Sequence, residues 1–280
     1  MEEIPFVKMS GSGNDFILVD HRVPRIAEAD LVDFVRGVCR RRLSAGADGV
    51  ILIEPSGRAD FRFRFFNADG SRAAMCGNGA RCAARFAVLA GISAGPEVAF
   101  ETEAGVIAGR VEGRRVRIRL TDPGPPGAEA VLELSAGRLV VRRIDTGVPH
   151  AVVIHPEPEA LDVARLGAEI RHHPAFAPEG VNANFIRPDG RGGIVIRTYE
   201  RGVEGETLAC GTGCAAGALV AARVLGLSSP VAALTRSGER LRVFFEEAGE
   251  GYRNVFLEGE ARLIYRGVMS REAWEPGQAA

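Results

Sequence analysis

Residues 73–86 read AAMCGNGARCAARF, and residues 208–220 read LACGTGCAAGALV. Twice the chain writes Cys-Gly-X-Gly and follows it with alanines. The glycines let the backbone turn tightly and leave amide groups exposed at the start of a helix, which makes each terminus a site for an anion. The alanines (Ala80, Ala83 and Ala84 in one copy, Ala215, Ala216 and Ala218 in the other) make a helix thin enough to be surrounded on all sides by a sheet. Plain packing accounts for them equally well.

Cys76 and Cys210 stand 134 positions apart, about half of a 280-residue chain. A chain of that length is near the size at which one hydrophobic core stops growing, so two domains of duplicated plan are expected. FRFRFF (61–66) alternates Phe61, Phe63 and Phe65 with Arg62 and Arg64, the period of a strand with one buried face; Arg115, Arg117 and Arg119 alternate in the same way with Val116, Ile118 and Leu120. Those arginines are assigned to the solvent face. Residues 4–9 and 16–20 (FILVD) predict strands about the glycine turn SGSGND, and Asp30 predicts the cap of an amphipathic helix through LVDFVRGVCRR. GVNANFI (180–186) echoes SGNDFIL (12–18), and IVIRTYERG (194–202) echoes FRFRFFNADG (61–70). The two small-residue helices are expected to stop at Gly91 and Gly226. TDPGPPGAE (121–129) continues neither strand nor helix, which places the boundary there: residues 1–122 and 123–265.

Composition narrows the function classes. The formal charge is −1, with no basic field to hold nucleic acid or an anionic membrane, and the partner is expected to be a small molecule. No run approaches a membrane span and no secretion signal opens the chain, so a cytoplasmic protein with reduced thiols is expected. The cysteine spacings do not make a zinc knuckle. Lys8 is the single lysine against 34 arginines, and it lacks the phosphate-binding context of a pyridoxal enzyme. No cofactor and no metal are expected.

Cys39, Cys82 and Cys214 read as small buried hydrophobes. Cys76 and Cys210 differ, because the positive end of a helix dipole and its free amides favour thiolate. If two duplicated halves face one another across a pseudo-twofold axis, both sulfurs flank one cleft. A carboxylate held by the helix termini then places its α-carbon between them. One thiolate removes the α-proton while the opposite thiol delivers another, which is two-base inversion without a cofactor.

Through GSGNDF, FNADGSRAAMCGNGARC, DTGVPH, GVNANF and YERGVEGETLACGTG, the chain resembles the diaminopimelate epimerase family over most of its length. The resemblance implies an α+β fold of two pseudo-symmetric domains, each a mostly antiparallel sheet rolled around a central helix, with about 266–280 returning to complete the first. It implies Cys76 and Cys210 as the acid/base thiols, and Gly77, Asn78, Gly211 and Thr212 holding the reacting carboxylate through their backbone. It implies that Asn14, Asn67, Asn182, Glu200 and Arg201 read the distal end of a two-carboxylate amino acid, Arg201 pairing its second carboxylate and Glu200 lying near its ammonium. A homodimer is also implied. Two departures concern recognition: Val148 stands where many members have asparagine, and Gly49 where some have glutamine. His150 reads equally as a structural hydrogen-bonding residue or as a participant. The alternatives are a racemase of another amino acid using the same thiols, an anion-binding scaffold, and a redox sensor pairing Cys76 with Cys210.

Overall fold

The computed structural model describes residues 3–275. Residues 276–280 of the segment expected to complete the first domain lie outside the described residues. The chain folds into two compact units, one drawn from the residues up to Ile118 and again from Glu260 onward, the other running from Arg119 to Gly259.

In the first unit Ile4–Gly11 pairs antiparallel with both Arg262–Met269 and Asn14–Asp20. Asn14–Asp20 runs parallel to Gly49–Glu54, which returns antiparallel along Phe61–Asn67. Phe61–Asn67 is parallel to Glu97–Thr102, and antiparallel turns carry the sheet on through Gly105–Glu112 to Arg115–Arg119. Two helices make the parallel steps possible, because parallel neighbours need a long crossover. They are α1 (Leu31–Cys39) and α2 (Gly77–Leu89).

The strands between these helices are buried on both faces. Ile17, Val19, Val50 and Leu52 join Leu31, Phe34, Val35 and Val38 of α1 in one cluster, closed by Trp274. The alternate residues Phe16, Leu18, Ile51 and Ile53 are equally buried on the opposite side, where α2 lies against the sheet. Continuous apolar runs such as FILVD follow from that double burial. In α2 itself Ala80, Cys82, Ala83, Ala84 and Ala87 are all without exposure, as a central helix requires.

The second unit repeats the order strand for strand. Gly137–Asp145 pairs with Glu129–Leu134 and with Pro149–Ile154. Pro149–Ile154 is parallel to Asn182–Pro188, across α3 (Val163–Arg171). Ile194–Glu200 follows antiparallel, then Val231–Leu234 in parallel, across α4 (Gly211–Leu225). Arg240–Ala248 and Gly251–Glu260 complete it. Leu166 and Ile170 of α3 pack on Ala151, Val153, Ala183 and Phe185. Within the units the fold is the expected α+β type with a central small-residue helix, and no helix among the described residues is long and apolar enough to cross a membrane.

Three local expectations change. Asp30 occupies the N-cap of α1 but makes no capping bond, because a 3-10 turn over Glu28–Asp30 already leads into the helix in helical geometry. Arg64 is not a solvent-face residue: its side chain is 11% exposed and pairs with Glu28 and Glu54. The echo between GVNANFI and SGNDFIL is displaced by one strand. Register aligns Phe16 with Gly49 in the first unit and His150 with Asn182 in the second, so Asn182 corresponds to Gly49, and Val148 falls where the first unit has Asn14. Parallel neighbours start at the same end of a sheet, so their opening turns resemble each other.

The thinness of α4 is testable at Gly217, where a Cβ would stand 3.1 Å from Ile186, Ile194 and Ile196 at once. Gly217→Leu overpacks this contact and is expected to lower unfolding free energy by about 1–3 kcal/mol in urea titration. A variant as stable as the parent contradicts the packed central helix.

Candidate active site

Each motif cysteine is the N-cap residue of a central helix. Cys76 has φ −139° and ψ 114°, and its Sγ accepts from the amide of Gly79 at 3.4 Å. Cys210 has φ −110° and ψ 115°, and its Sγ accepts from Gly213 at 3.3 Å. Each extended cap residue precedes the first helical turn, so its sulfur sits at the positive end of the helix dipole. Gly77 and Gly211 are half-buried in those first turns, as is Thr212, while Asn78 is buried.

In the first unit Asn78 donates through Nδ2 to Asn14 Oδ1 at 2.7 Å, so these two expected site residues meet. Asn67 is exposed at the end of its strand and donates to Ser71 Oγ at 3.0 Å. Gly49 lies opposite Asn67 in the register, and a Cβ there would stand 2.4 Å from the Phe66 carbonyl oxygen and 2.6 Å from the Phe65 ring. No glutamine fits at this position; Phe65 holds the space.

In the second unit the surroundings of the thiol are different. Glu200 corresponds by register to Asn67, and its carboxyl hydrogen-bonds both Thr207 Oγ1, at 2.5 Å, and Cys210. Glu200 therefore stands against the thiol, a placement that its expected role as an ammonium neighbour did not include. Burial pushes the Glu200 carboxyl upward. Burial, followed by the charge of Glu200, pushes the Cys210 thiol well above its ordinary value, against hydrogen bonds from Thr212 and Gly213. At Cys210 burial and the neighbouring carboxyl therefore oppose the thiolate that the helix terminus favours, since two acidic groups in contact disfavour each other's charged form. Cys39, by comparison, is pushed up to about 12 with burial as the leading cause, as suits an inert core thiol.

Asn182 is buried; its Nδ2 donates to the Pro149 carbonyl at 3.1 Å and its Oδ1 accepts from the Arg201 amide at 2.9 Å. Asn182 thus fixes the backbone of Arg201, whose guanidinium reaches the Glu179 carbonyl at 3.4 Å. His150 is fully buried, which with the charge of Arg201 lowers its pKa to about 3 and keeps it neutral. Its tautomer follows from Asn184. That side chain accepts from Thr198 Oγ1 at 3.0 Å, and its Nδ2 shares two hydrogens among His150 Nδ1 at 3.0 Å and the more distant Ala151 and Asn182 carbonyls; an amide nitrogen only donates, so Nδ1 is the acceptor. The imidazole proton is on Nε2, which has no hydrogen-bond partner among the described residues. A buried N–H of this kind is available to a ligand.

Asn184 is a residue that sequence reasoning missed. A Cβ on Gly213 would stand 2.5 Å from its Oδ1, so it forms the polar floor under the α4 terminus, while Ile51 takes the same place under Gly79. The signal was two positions on in GVNANFI, where the second asparagine follows the first on the same strand face. Asp48 and Arg81 were missed as well: Asp48 accepts from Asn14, and Arg81 donates to Asn78.

The family model described as diaminopimelate epimerase matches residues 6–124 and 142–264. A diaminopimelate epimerase of Aquifex aeolicus (strain VF5) is 45% identical, over 96% of this chain and 99% of its own. That of Archaeoglobus fulgidus is 39% identical, over 95% of this chain and 96% of its own. Among solved structures, a probable proline racemase from Agrobacterium radiobacter K84 superposes with TM-score 0.70 at 18% identity, covering 98% of this chain and 94% of that one. A Bacillus anthracis phenazine biosynthesis protein of the PhzF family does so with TM-score 0.72 at 15% identity, covering 96% and 100%. These two show a shared fold. With a family match over most of its residues and relatives this similar along nearly their full length, the chain belongs to the diaminopimelate epimerase family.

Proposed function

We propose that this enzyme epimerises LL-2,6-diaminopimelate to the meso form by two-base proton exchange at one α-carbon, with Cys76 and Cys210 as the acid/base pair and no cofactor. The observation that carries the reading is the repeated N-cap thiol: two sulfurs, each held by the amide three residues on, at equivalent helix starts. Amides of Gly77, Asn78, Gly211 and Thr212 bind the reacting carboxylate and stabilise the negative charge that develops on it. Starting from one isomer, the thiolate of Cys76 takes the α-proton, and the C–H electron pair is delocalised into the carboxylate. The Cys210 thiol protonates the opposite face, leaving Cys76 as thiol and Cys210 as thiolate; the other isomer runs the same steps in reverse.

Glu200 suits Cys210 to begin as the proton donor, since its negative charge opposes the thiolate. Arg201 pairs the distal carboxylate of the substrate, with Asn14, Asn67 and Asn182 lining the pocket. The reading places the enzyme in the cytoplasm, as a homodimer, in the synthesis of lysine and cell-wall precursors. A second reading, racemisation of another amino acid by the same thiols, draws on Gly49 and Val148, where two polar side chains that could contact a distal group are replaced by glycine and valine.

In deuterated water, LL-diaminopimelate is expected to gain deuterium at an α-carbon, and Cys76→Ala or Cys210→Ala to cut turnover by about 10³-fold. Exchange into a different amino acid, with none into diaminopimelate, selects the second reading; inversion to the meso form that survives loss of either cysteine removes the two-base scheme, whereas exchange with retention is what the remaining thiol alone allows. Glu200→Gln removes the charge beside Cys210, so iodoacetamide at pH 8 should label Cys210 faster than in the parent while turnover falls. Unchanged labelling means that the carboxylate does not govern this thiol.

A further inference from the structure

The amide side chains of Asn14 and Asn78 belong to a directed chain of hydrogen bonds with a cation at one end and an anion at the other. Arg81 has no exposed surface, and its Nη2 donates to Asn78 Oδ1 at 2.8 Å and to Ser12 Oγ at 2.7 Å, while Nη1 reaches the Gly77 carbonyl at 3.3 Å. Asn78 Nδ2 donates to Asn14 Oδ1 at 2.7 Å, and Asn14 Nδ2 donates to Asp48 Oδ2 at 2.9 Å. Every bond points from Arg81 toward Asp48.

A guanidinium only donates and a carboxylate only accepts, so the two ends dictate which way each amide faces. Turning Asn14 around would set its carbonyl against the Asp48 carboxylate and its NH2 against that of Asn78. Asp48 is itself held: Oδ1 accepts from Arg41 at 2.7 Å, and Oδ2 also accepts from the Asp15 amide at 3.2 Å. Arg41 pairs with Asp15 at 2.5 Å, and Asp15 with the buried Lys8 at 2.7 Å. The Asn14 carbonyl therefore faces Asn78 and its NH2 faces Asp48, and one of the two Nδ2 hydrogens is not used by Asp48. By register the second unit has Val148, Thr212 and Ala215 in place of Asn14, Asn78 and Arg81, so it cannot form this chain.

We propose that Asp48 and Arg81 are positioning residues that lock the Asn14 amide as a hydrogen-bond donor to a carboxylate of the substrate. The proposal rests on the assignment of Asn14 to the substrate site made above. A donor to a carboxylate that is present in both ground and transition state changes KM more than kcat.

The test is steady-state epimerisation of LL-diaminopimelate by the full-length enzyme carrying Asn14→Ala, Asp48→Ala, Asp48→Asn or Arg81→Lys, with the iodoacetamide labelling rate of Cys76 measured beside it. Asp48→Ala is expected to raise KM roughly tenfold, the weight of one hydrogen bond to a charged group, with kcat and Cys76 labelling within about twofold of the parent. Asp48→Asn keeps an acceptor oxygen for Asn14 and should recover most of the KM. Arg81→Lys tests the other end and should raise KM in the same direction. If Asn14→Ala raises KM and Asp48→Ala leaves it unchanged, the positioning role is overturned while the site assignment stands. If Asn14→Ala leaves KM unchanged, the assignment fails and the proposal falls with it. A loss in Asp48→Ala that appears equally in kcat, KM and Cys76 labelling, and that asparagine does not relieve, marks a structural residue and also overturns the proposal.

Discussion

A sulfur atom caps both central helices, and much else in the fold accommodates that choice. Helix N-caps are usually oxygen-bearing side chains, which accept an amide hydrogen bond far better than a thiol does. With Cys76 and Cys210 in the role, the helix starts are held by S···H–N contacts of 3.4 and 3.3 Å. The stability withheld at the terminus is supplied further along, where alanine and glycine let strands close on the helix from every side. Gly79 and Gly213 lie so near Ile51 and Asn184 that a larger residue in the first turn would displace the floor of the site.

The two units share one topology and have diverged in chemistry at the same positions. At corresponding positions the first unit carries Asn67, Ile51 and, with Asn14 and Asn78, the Arg81–Asn78–Asn14–Asp48 chain, where the second carries Glu200, Asn184, Val148 and Thr212. The first unit carries its charge at the ends of a hydrogen-bond chain, whereas the second brings a carboxyl into contact with the sulfur itself. Burial then decides the ionisation. Glu200 and Cys210 compete for one negative charge, and both are shifted upward. His150, with the charge of Arg201 nearby, stays neutral and keeps its proton on Nε2.

Sequence reading reached the features that depend on neighbours along the chain. Alternation located Phe61–Asn67, the glycine turns located the helix starts, and left-handed Gly226 ends α4 as its sequence position implied. What escaped were properties set by partners distant in sequence. Asn14 and Asp48 are 34 positions apart, and nothing near either one names the other. The GVNANFI echo misled because two parallel strands in each unit begin with similar turns, and only pairing register tells them apart. The surroundings of the Cys210 thiol were illegible for a related reason: the helix dipole is a local property visible in Cys-Gly-X-Gly, but desolvation and the approach of Glu200 are products of packing.

The divergence between units has a chemical logic under the proposed reaction. Inverting a tetrahedral carbon asks for like groups on its two faces, and the repeated N-cap cysteine supplies them. Recognising the rest of an amino acid asks for unlike groups, because the substituents on that carbon are different. A duplicated chain meets both demands when it preserves the helix start and frees the strand ends to change. Asn67 and Glu200 occupy one such strand end, Gly49 and Asn182 another, Asn14 and Val148 a third. Substrate preference can then shift through strand-end substitutions such as Gly49 and Val148, which leave the sulfur geometry untouched. Exchange at the cap itself is different: an oxygen in place of either sulfur would strengthen the helix and remove the acid/base group in the same step.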